Sequence, residues 1–377
     1  MKSTCSPFVL NWGIIGCGWI SSEFVAGLAL LHDDVTDVCH SIAAVGSRDL
    51  KKAMSFIKDH CPDGGNAQQL GMVEELPEAV GSYEQVCHHE RVDIIYIGTP
   101  NISHFPDALA ALQAGKHCLL EKPATLNAGE WKTLSALAKD KSLFLMEAVW
   151  TRFLPLTYVL QEHLFVKKTI GDIHAVHADF SMHFLDTVPD SHRTLNPDLA
   201  GGPLLDLGPY IILVAILALY HHPLNELDHP KLSSTMMFGR TGCDLFTSIN
   251  LQFPKLAATA NLTTSFAYNT TRDVPARIIG SKGEILISGP MLSRMVKMTI
   301  RELDQEIAAF PTAWKEDVIV EMDFPGFGLH FEADAVARSL KAGELENSRM
   351  PHAETEMVME IFDKIREDGG YKFPTEK

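Results

Sequence analysis

Gly13-Ile-Ile-Gly16-Cys-Gly18-Trp-Ile-Ser21 follows an apolar run from Asn11 and leads into a helical stretch, and this junction constrains the chain more than any other feature. Gly16 allows a tight turn at the strand end, and Gly18 lets backbone approach a pyrophosphate. The helix that follows offers its N-terminus to the anion. Gly16 and Gly18, with Trp19 and Ile20 just past the turn, are candidate dinucleotide contacts. Ser21 stands where the fingerprint asks for Gly or Ala, so a plain turn is the competing reading.

The first 150 residues alternate short apolar strands with helical stretches, the pattern of a parallel sheet covered by helices. Strands are expected at 11–15, 41–46, 92–98, 117–121 and 143–147, nearly continuous in apolar residues as buried parallel strands require. Asn127 is placed to cap a helix, with Glu130 three residues on as its reciprocal partner. Past Trp150 the texture changes to alternating stretches at 172–184, 245–253, 257–266 and 276–288, which read as half-buried antiparallel strands. Gly280-Ser-Lys-Gly283 reads as a hairpin turn, helices are expected at 209–220, 328–341 and 353–367, and 222–243 reads as loop-rich. With 377 residues, two cores are expected. The fold class is α/β: a Rossmann doubly wound parallel sheet over 1–149, then an α+β domain with a large, mostly antiparallel, open-faced sheet over 150–377.

The second strand ends at Gly46-Ser47-Arg48-Asp49. An NAD site would usually place an acidic side chain there for the ribose 2′-hydroxyl. Ser47 and Arg48 stand there instead, with Lys51 or Lys52 one turn on, a basic cradle for a 2′-phosphate. NADP is the expected cofactor, bound by Ser47, Arg48 and Lys52; a solvated helix start with surface lysines is the alternative.

Two later strands end in Gly98-Thr99-Pro100-Asn101, followed by His104, and in Gly115-Lys-His-Cys-Leu-Leu-Glu121-Lys122-Pro123. Both lie on the edge where α/β sheets bind ligands, so Thr99, Pro100, Asn101, His104, Glu121 and Lys122 join the candidate cofactor contacts. These runs resemble the glucose-fructose oxidoreductase, inositol dehydrogenase and rhizopine-catabolism family, whose members carry a strand ending in TP and a later GKH-strand-EKP motif. The resemblance implies a catalytic-site role for Lys122. It continues in Gly201-Gly202-Pro203-Leu-Leu-Asp206-Leu-Gly208-Pro209-Tyr210, similar to the family's GG-x-x-x-D-x-G-x-H/Y signature, with Pro203 in place of a more usual Gly or Ala. Tyr at the last position, together with Met146-Glu-Ala-Val-Trp150-Thr-Arg-Phe153, resembles the dimeric dihydrodiol dehydrogenases and NADP-dependent D-xylose dehydrogenases within that family. This implies oxidation of an aldose C1 hydroxyl or a trans-dihydrodiol, and a homodimer built through the open face of the second-domain sheet.

That chemistry needs a base for the hydroxyl proton while hydride leaves for the nicotinamide, and a Tyr with a pKa of ~10 is a poor base. Bringing Tyr210 to about 7 takes ~4 kcal/mol of preference for the phenolate, which the Lys122 ammonium and the positive end of a helix starting at Pro209 can share. Lys122 and Tyr210 are therefore expected to converge over one nicotinamide ring. Tyr210 as a core aromatic and Lys122 as a surface lysine are the bland alternatives. Asp206 is read either as an orienting carboxylate for substrate or Lys122 or as a helix cap. Trp150 as a wall for nicotinamide or sugar and Arg193 as a donor to substrate oxygens compete with packing and surface charge.

A formal charge of −16 argues against nucleic-acid or anionic-membrane partners. The seven cysteines, Cys5, Cys17, Cys39, Cys61, Cys87, Cys118 and Cys243, are never in CxxC spacing, which indicates neither a disulfide framework nor a zinc site. A cytoplasmic location and no metal are expected. Pro209 to Tyr220 has twelve residues, short of the ~20 that cross a bilayer. A member of the family that binds dinucleotide and regulates without turnover is the second functional reading.

Overall fold

The computed structural model describes residues 6–31, 34–304 and 313–374; Cys5 lies outside them. The chain forms two compact units, one running through Trp150 and resuming at Phe324–Met359, the other comprising Thr151–Asp323 and Glu360 onward. Residues 324–359, assigned to the second domain from sequence, thus pack with the first unit.

The reason is a buried polar chain with an apolar helix face beside it. Trp12 Nε1 donates to His40 Nδ1 at 3.1 Å, and an indole nitrogen can only donate, so His40 Nδ1 accepts. Its Nε2–H is left to donate to Asp334 Oδ1 at 2.9 Å. Asp334 sits on the helix Leu329–Lys341, whose Leu329, Ala333, Val336 and Ala337 are buried. The backbone nitrogen of His330 approaches so near Gly27 that a Cβ there would stand 3.2 Å from it. Nothing in the hydrophobic pattern of that helix distinguishes one core from another; the His40–Asp334 match does.

The first unit's sheet contains β1 (Phe8–Ile15), β2 (Val38–Gly46), β3 (Glu78–Val80), β4 (Ile94–Ile97), β5 (His117–Glu121) and β6 (Leu145–Ala148). Their order is β3-β2-β1-β4-β5-β6, every pair parallel. This is the doubly wound arrangement expected, with the strand order reversing beside β1. β2 is buried at every position and β4 likewise, as strands covered on both faces must be. The short β3 escaped the sequence reading because three residues carry no pattern. Asn127 Oδ1 accepts from Glu130 N at 2.9 Å, and the Glu130 carboxylate reaches back to Leu126 N at 3.0 Å.

The second unit holds an eight-stranded sheet of β7 (Ile173–Ser181), β8 (Lys231–Phe238), β9 (Asp244–Phe253), β10 (Ala258–Ser265), β11 (Ala276–Gly280), β12 (Gly283–Ser288), β13 (Lys297–Glu302) and β14 (Val318–Glu321). The order is β14-β13-β12-β11-β7-β10-β9-β8, with β7 and β10 parallel and every other pair antiparallel. β11 and β12 form the expected hairpin around Ser281-Lys282. The stretch 222–243 is corrected: it contains the edge strand β8, none of whose residues is buried, so the strand is held by its ladder to β9 and shows no hydrophobic alternation. The apolar stretch noted at Pro209 to Tyr220 extends further, since Pro197–Tyr220 spans 24 residues with a most-apolar window of mean hydropathy 2.0. That window is 94% buried within the protein, and left-handed backbone at Ala200 and a φ of 123° at Gly202 interrupt the run.

Candidate active site

In the first unit the turn after β1 is forced by sterics. Gly16 has φ +93°, and a Cβ there would stand 2.7 Å from Gly98 O. Gly18, extended at φ −101°, precedes the helix Trp19–Leu28; no side chain caps that helix, its first turn carries no acid, and a Cβ at Gly18 would meet nothing within 4 Å. Free first-turn N–H groups beside open space fit a pyrophosphate. Ser21, fully buried, packs its hydroxyl against Gly98, which has no side chain to displace it.

At the end of β2, Ser47 is buried and its Oγ accepts from Asp49 N at 3.3 Å. Asp49 in turn caps the next helix through Lys51 N at 2.9 Å. Arg48 and Lys52 are exposed. Arg48 hydrogen-bonds the Tyr83 phenol, and burial with the neighbouring Asp107 charge pushes that phenol up while Arg48 pulls it down. Burial raises the Asp107 carboxyl, against the hydrogen bond from Thr99 Oγ1 at 2.8 Å and the Arg48 charge. Burial also raises the Cys17 thiol to about 11, with Lys52 opposing, so this cysteine in the glycine turn is a thiol and not a nucleophile.

His104 stands between the two later strand ends, a neutral imidazole whose single N–H can be donated to only one of the two carbonyls it faces. It is 1% exposed, with Nδ1 2.7 Å from Pro123 O and Nε2 2.9 Å from Thr99 O. Burial brings its pKa down to about 4; the two carbonyls oppose this and the Lys122 ammonium assists it. Pro100 stands at the N-cap of the helix Asn101–Gln113 and leaves Asn101 in its first turn. Glu121 is buried, its carboxylate accepting from Tyr96 Oη at 2.7 Å and from Lys122 N at 3.1 Å. These bonds fix the backbone from which the half-buried Lys122 projects. Glu147 accepts from Ala124 N at 3.0 Å on the far side of Pro123. A third carboxyl, Glu332, is fully buried and pushed well above the usual range by burial, with the Glu121 and Glu147 charges adding to the shift. Trp19, 61% exposed, meets Phe327 edge-on at 5.2 Å, and Phe327 meets the buried Trp150 at 6.3 Å.

In the second unit Gly201 and Gly202 form a turn against 193–196. A Cβ on Gly201 would stand 2.7 to 2.9 Å from the carbonyl oxygens of Thr194, Arg193 and Asn196, and Gly202 N donates to Thr194 O at 2.9 Å. Pro203 then opens the helical turn Pro203–Asp206, a position that needs no N–H, and the helix Gly208–Ala215 follows at once. The helix expected to start at Pro209 starts at Gly208, and the helical turn directly before it was not foreseen. Leu207 N donates to Pro203 O at 2.8 Å and Tyr210 N to Leu207 O at 3.1 Å, so the free N–H end lies nearer Gly202 than Tyr210. Tyr210 is 5% exposed and its ring stands 5.7 Å from Phe180, edge-on. Asp206 Oδ1 pairs with Arg193 Nη1 at 3.3 Å, the carboxylate nearly buried and the guanidinium half-exposed. The cap of this helical segment comes from Asp244, whose Oδ2 accepts from Leu204 N at 2.9 Å.

Two family profiles match: the oxidoreductase family with NAD-binding Rossmann fold (GFO/IDH/MocA) over residues 10–149, and the GFO/IDH/MocA C-terminal domain over residues 162–286. The chain belongs to the GFO/IDH/MocA oxidoreductase family. It is 33% identical to the D-xylose 1-dehydrogenase (NADP(+)) of Hypocrea jecorina, covering 98% of this chain and 94% of that one. It is 31% identical to the trans-1,2-dihydrobenzene-1,2-diol dehydrogenase of Bos taurus, covering 98% and 99%. Among solved structures, a 3-ketoreductase from Actinomadura kijaniata, KijD10, shares the fold at a TM-score of 0.76 and 21% identity over 96% of this chain and 98% of that one. The aldose-aldose oxidoreductase of Caulobacter crescentus does so at 0.73 and 20% over 96% and 97%.

In this GFO/IDH/MocA protein the first unit brings the glycine turn, Thr99, His104, Glu121 and Lys122 onto the carboxyl ends of three adjacent strands. His104 and Glu121 are buried; Glu121 accepts from Tyr96 Oη and Lys122 N, and His104 can donate to one of the Pro123 and Thr99 carbonyls beside it, which makes them braces of the strand ends. Asp206 and Arg193 come together in the second unit, near Tyr210 in sequence. Sequence reasoning missed Tyr83, Asp107, Phe327, Glu332 and Asp244. Asp107 lies eight residues after Thr99 on the helix that Asn101 opens, a spacing that offered a signal. Phe327 and Glu332 offered none, because their segment was assigned to the other domain.

Proposed function

We propose that this protein is an NADP-dependent dehydrogenase that takes hydride from a sugar C1 hydroxyl, as in D-xylose and related aldoses, or from a trans-dihydrodiol. The observation that carries this reading is the bare Gly18 position facing open space ahead of an uncapped helix, with Arg48 and Lys52 exposed at the neighbouring strand end. When bound, NADP supplies the hydride acceptor. First-turn N–H groups after Gly18 hold the pyrophosphate, Arg48, Lys52 and Ser47 hold the 2′-phosphate, and Thr99, Pro100 and Asn101 line the next strand end. Trp19, Ile20 and Trp150 flank the cofactor.

Tyr210 takes the hydroxyl proton, and Lys122 favours its phenolate and hydrogen-bonds the reacting oxygen. The Asp206–Arg193 pair presents an acceptor and a donor side by side, the combination that vicinal hydroxyls require. The named relatives act on substrates of this class. Initial rates with NAD and NADP on a panel of aldoses and trans-diols test the reading, with turnover expected with NADP and weaker or none with NAD. Tight NADP binding with silence across the whole panel rejects turnover and leaves a dinucleotide-binding regulator.

We also place the protein in the cytoplasm as a homodimer. The six described cysteines are all free thiols, which suits a reducing compartment. A dimer would cover the open side of the eight-stranded sheet, and light scattering giving a monomer mass rejects it.

A further inference from the structure

The turn that carries Asp206 and Tyr210 is held from beneath by a residue outside every motif of the family signature. Asp244 opens β9 and is 4% exposed. Its Oδ2 accepts from Leu204 N at 2.9 Å and from Thr247 Oγ1 at 3.4 Å. Its Oδ1 lies against Gly202, so closely that a Cβ on that glycine, which sits at φ +123°, would fall on the oxygen. The carbonyl of the intervening Pro203 is met from β10 by Thr264 Oγ1 at 3.4 Å, and the same hydroxyl donates to Phe180 O at 2.8 Å. Phe180 is the ring against which Tyr210 rests. The Leu204 N–H at the start of the segment is thus fastened to the sheet by Asp244, and the Pro203 carbonyl lies beside a Thr264 hydroxyl whose one proton goes to Phe180 O.

We infer that Asp244 is a positioning residue for the reaction. It locks the Gly202–Leu204 turn to β9 and thereby sets the direction in which Asp206 and Tyr210 are presented. The inference rests on the dehydrogenase reading. A buried carboxylate is an expensive way to cap four residues of helix, since burial lifts its pKa to about 7. An apolar residue at this place would leave Leu204 N–H buried and unsatisfied, and Gly202 would lose the surface that shapes its turn.

Asp244→Asn keeps an acceptor oxygen and removes the charge; Asp244→Ala removes both. With the full-length protein, kcat is expected to fall at least tenfold in Asp244→Ala and to stay within about threefold of wild type in Asp244→Asn, with the Kd for NADP unchanged in both. Gly202→Ala, which drives a methyl onto the carboxylate, should repeat the kcat loss at unchanged Kd and decides the matter if Asp244→Ala does not fold. Wild-type kcat in a folded Asp244→Ala or Gly202→Ala overturns the inference, as does a loss in Asp244→Asn as large as in Asp244→Ala. Hydrogen exchange over residues 202–212 reads the same geometry without turnover. Faster exchange in Asp244→Ala or Gly202→Ala but not in Asp244→Asn supports the lock even if the wild type is silent on every substrate, a silence that sinks the dehydrogenase reading. Unchanged exchange in all variants sinks the lock.

Discussion

The two glycine turns of this molecule solve one steric problem with different backing. Gly16 at φ +93° is pressed against a backbone carbonyl, Gly98 O, and Gly202 at φ +123° against a carboxylate, Asp244. The first backing is an uncharged dipole supplied by the parallel ladder and is indifferent to pH. The second is a titratable group that must be buried and held. A turn that cradles a fixed anion can be built from backbone alone, whereas a turn that aims side chains needs a side chain beneath it. The cofactor half of the site should therefore respond to backbone substitutions through binding, and the chemical half through rate.

The largest separation expected is in Tyr210→Phe, where loss of the proposed base should lower kcat by about a hundredfold to ten-thousandfold while the Kd for NADP stays within about twofold. A Kd shift as large as the kcat loss would break the division. Next is Gly16→Ala, in which a Cβ at positive φ meets Gly98 O: the Kd for NADP should rise at least about tenfold by titration, and the thermal midpoint should drop. Normal NADP affinity in that variant would mean the turn is not the pyrophosphate cradle.

The pH dependence sharpens the contrast. Asp244 titrates at about 7 in the folded protein against 3.8 ordinarily, because burial disfavours its charge. A raised value means the folded state binds the proton more tightly, so this group's contribution to stability is complete below about pH 4, declines as pH rises, and is gone above about 7. A shift of this size corresponds to a few kcal/mol. Urea denaturation at pH 5 and pH 8 should show a smaller drop in Asp244→Asn than in wild type; equal drops would remove Asp244 from the account. The smallest effect is a control lying in neither turn: Asn127→Ala, which deletes the cap on Glu130 N, should cost about 1 kcal/mol and leave Kd and kcat alone.

Much of the first unit was legible because most of its strands are buried and appear as apolar runs, β1 and β2 ended by glycine, β4 by a T-P pair and β5 by a K-P pair. β8 was illegible for the opposite reason: an edge strand with no buried residue carries no alternation to read. The candidate site divides in the same way. The glycines declare themselves locally, through backbone freedom at a strand end, and Lys122 and Tyr210 through the family motifs in which they stand. Asp244 stands 42 residues after Gly202, and nothing near it in sequence marks it as that glycine's partner.

The sequence alone determined the parallel sheet, the glycine turn after β1 and the basic end of β2, because each rests on residues close together in the chain, while the proposed chemistry of Lys122 and Tyr210 came from the family motifs that carry them. Only the tertiary structure decided that Phe324–Met359 returns to the first unit, that His104 and Glu121 brace backbone, and that Asp244 underlies the Gly202 turn. Those outcomes depend on which buried polar group finds which partner. Such pairing is set by three-dimensional proximity and the cost of leaving a donor unmet, and no periodicity encodes it.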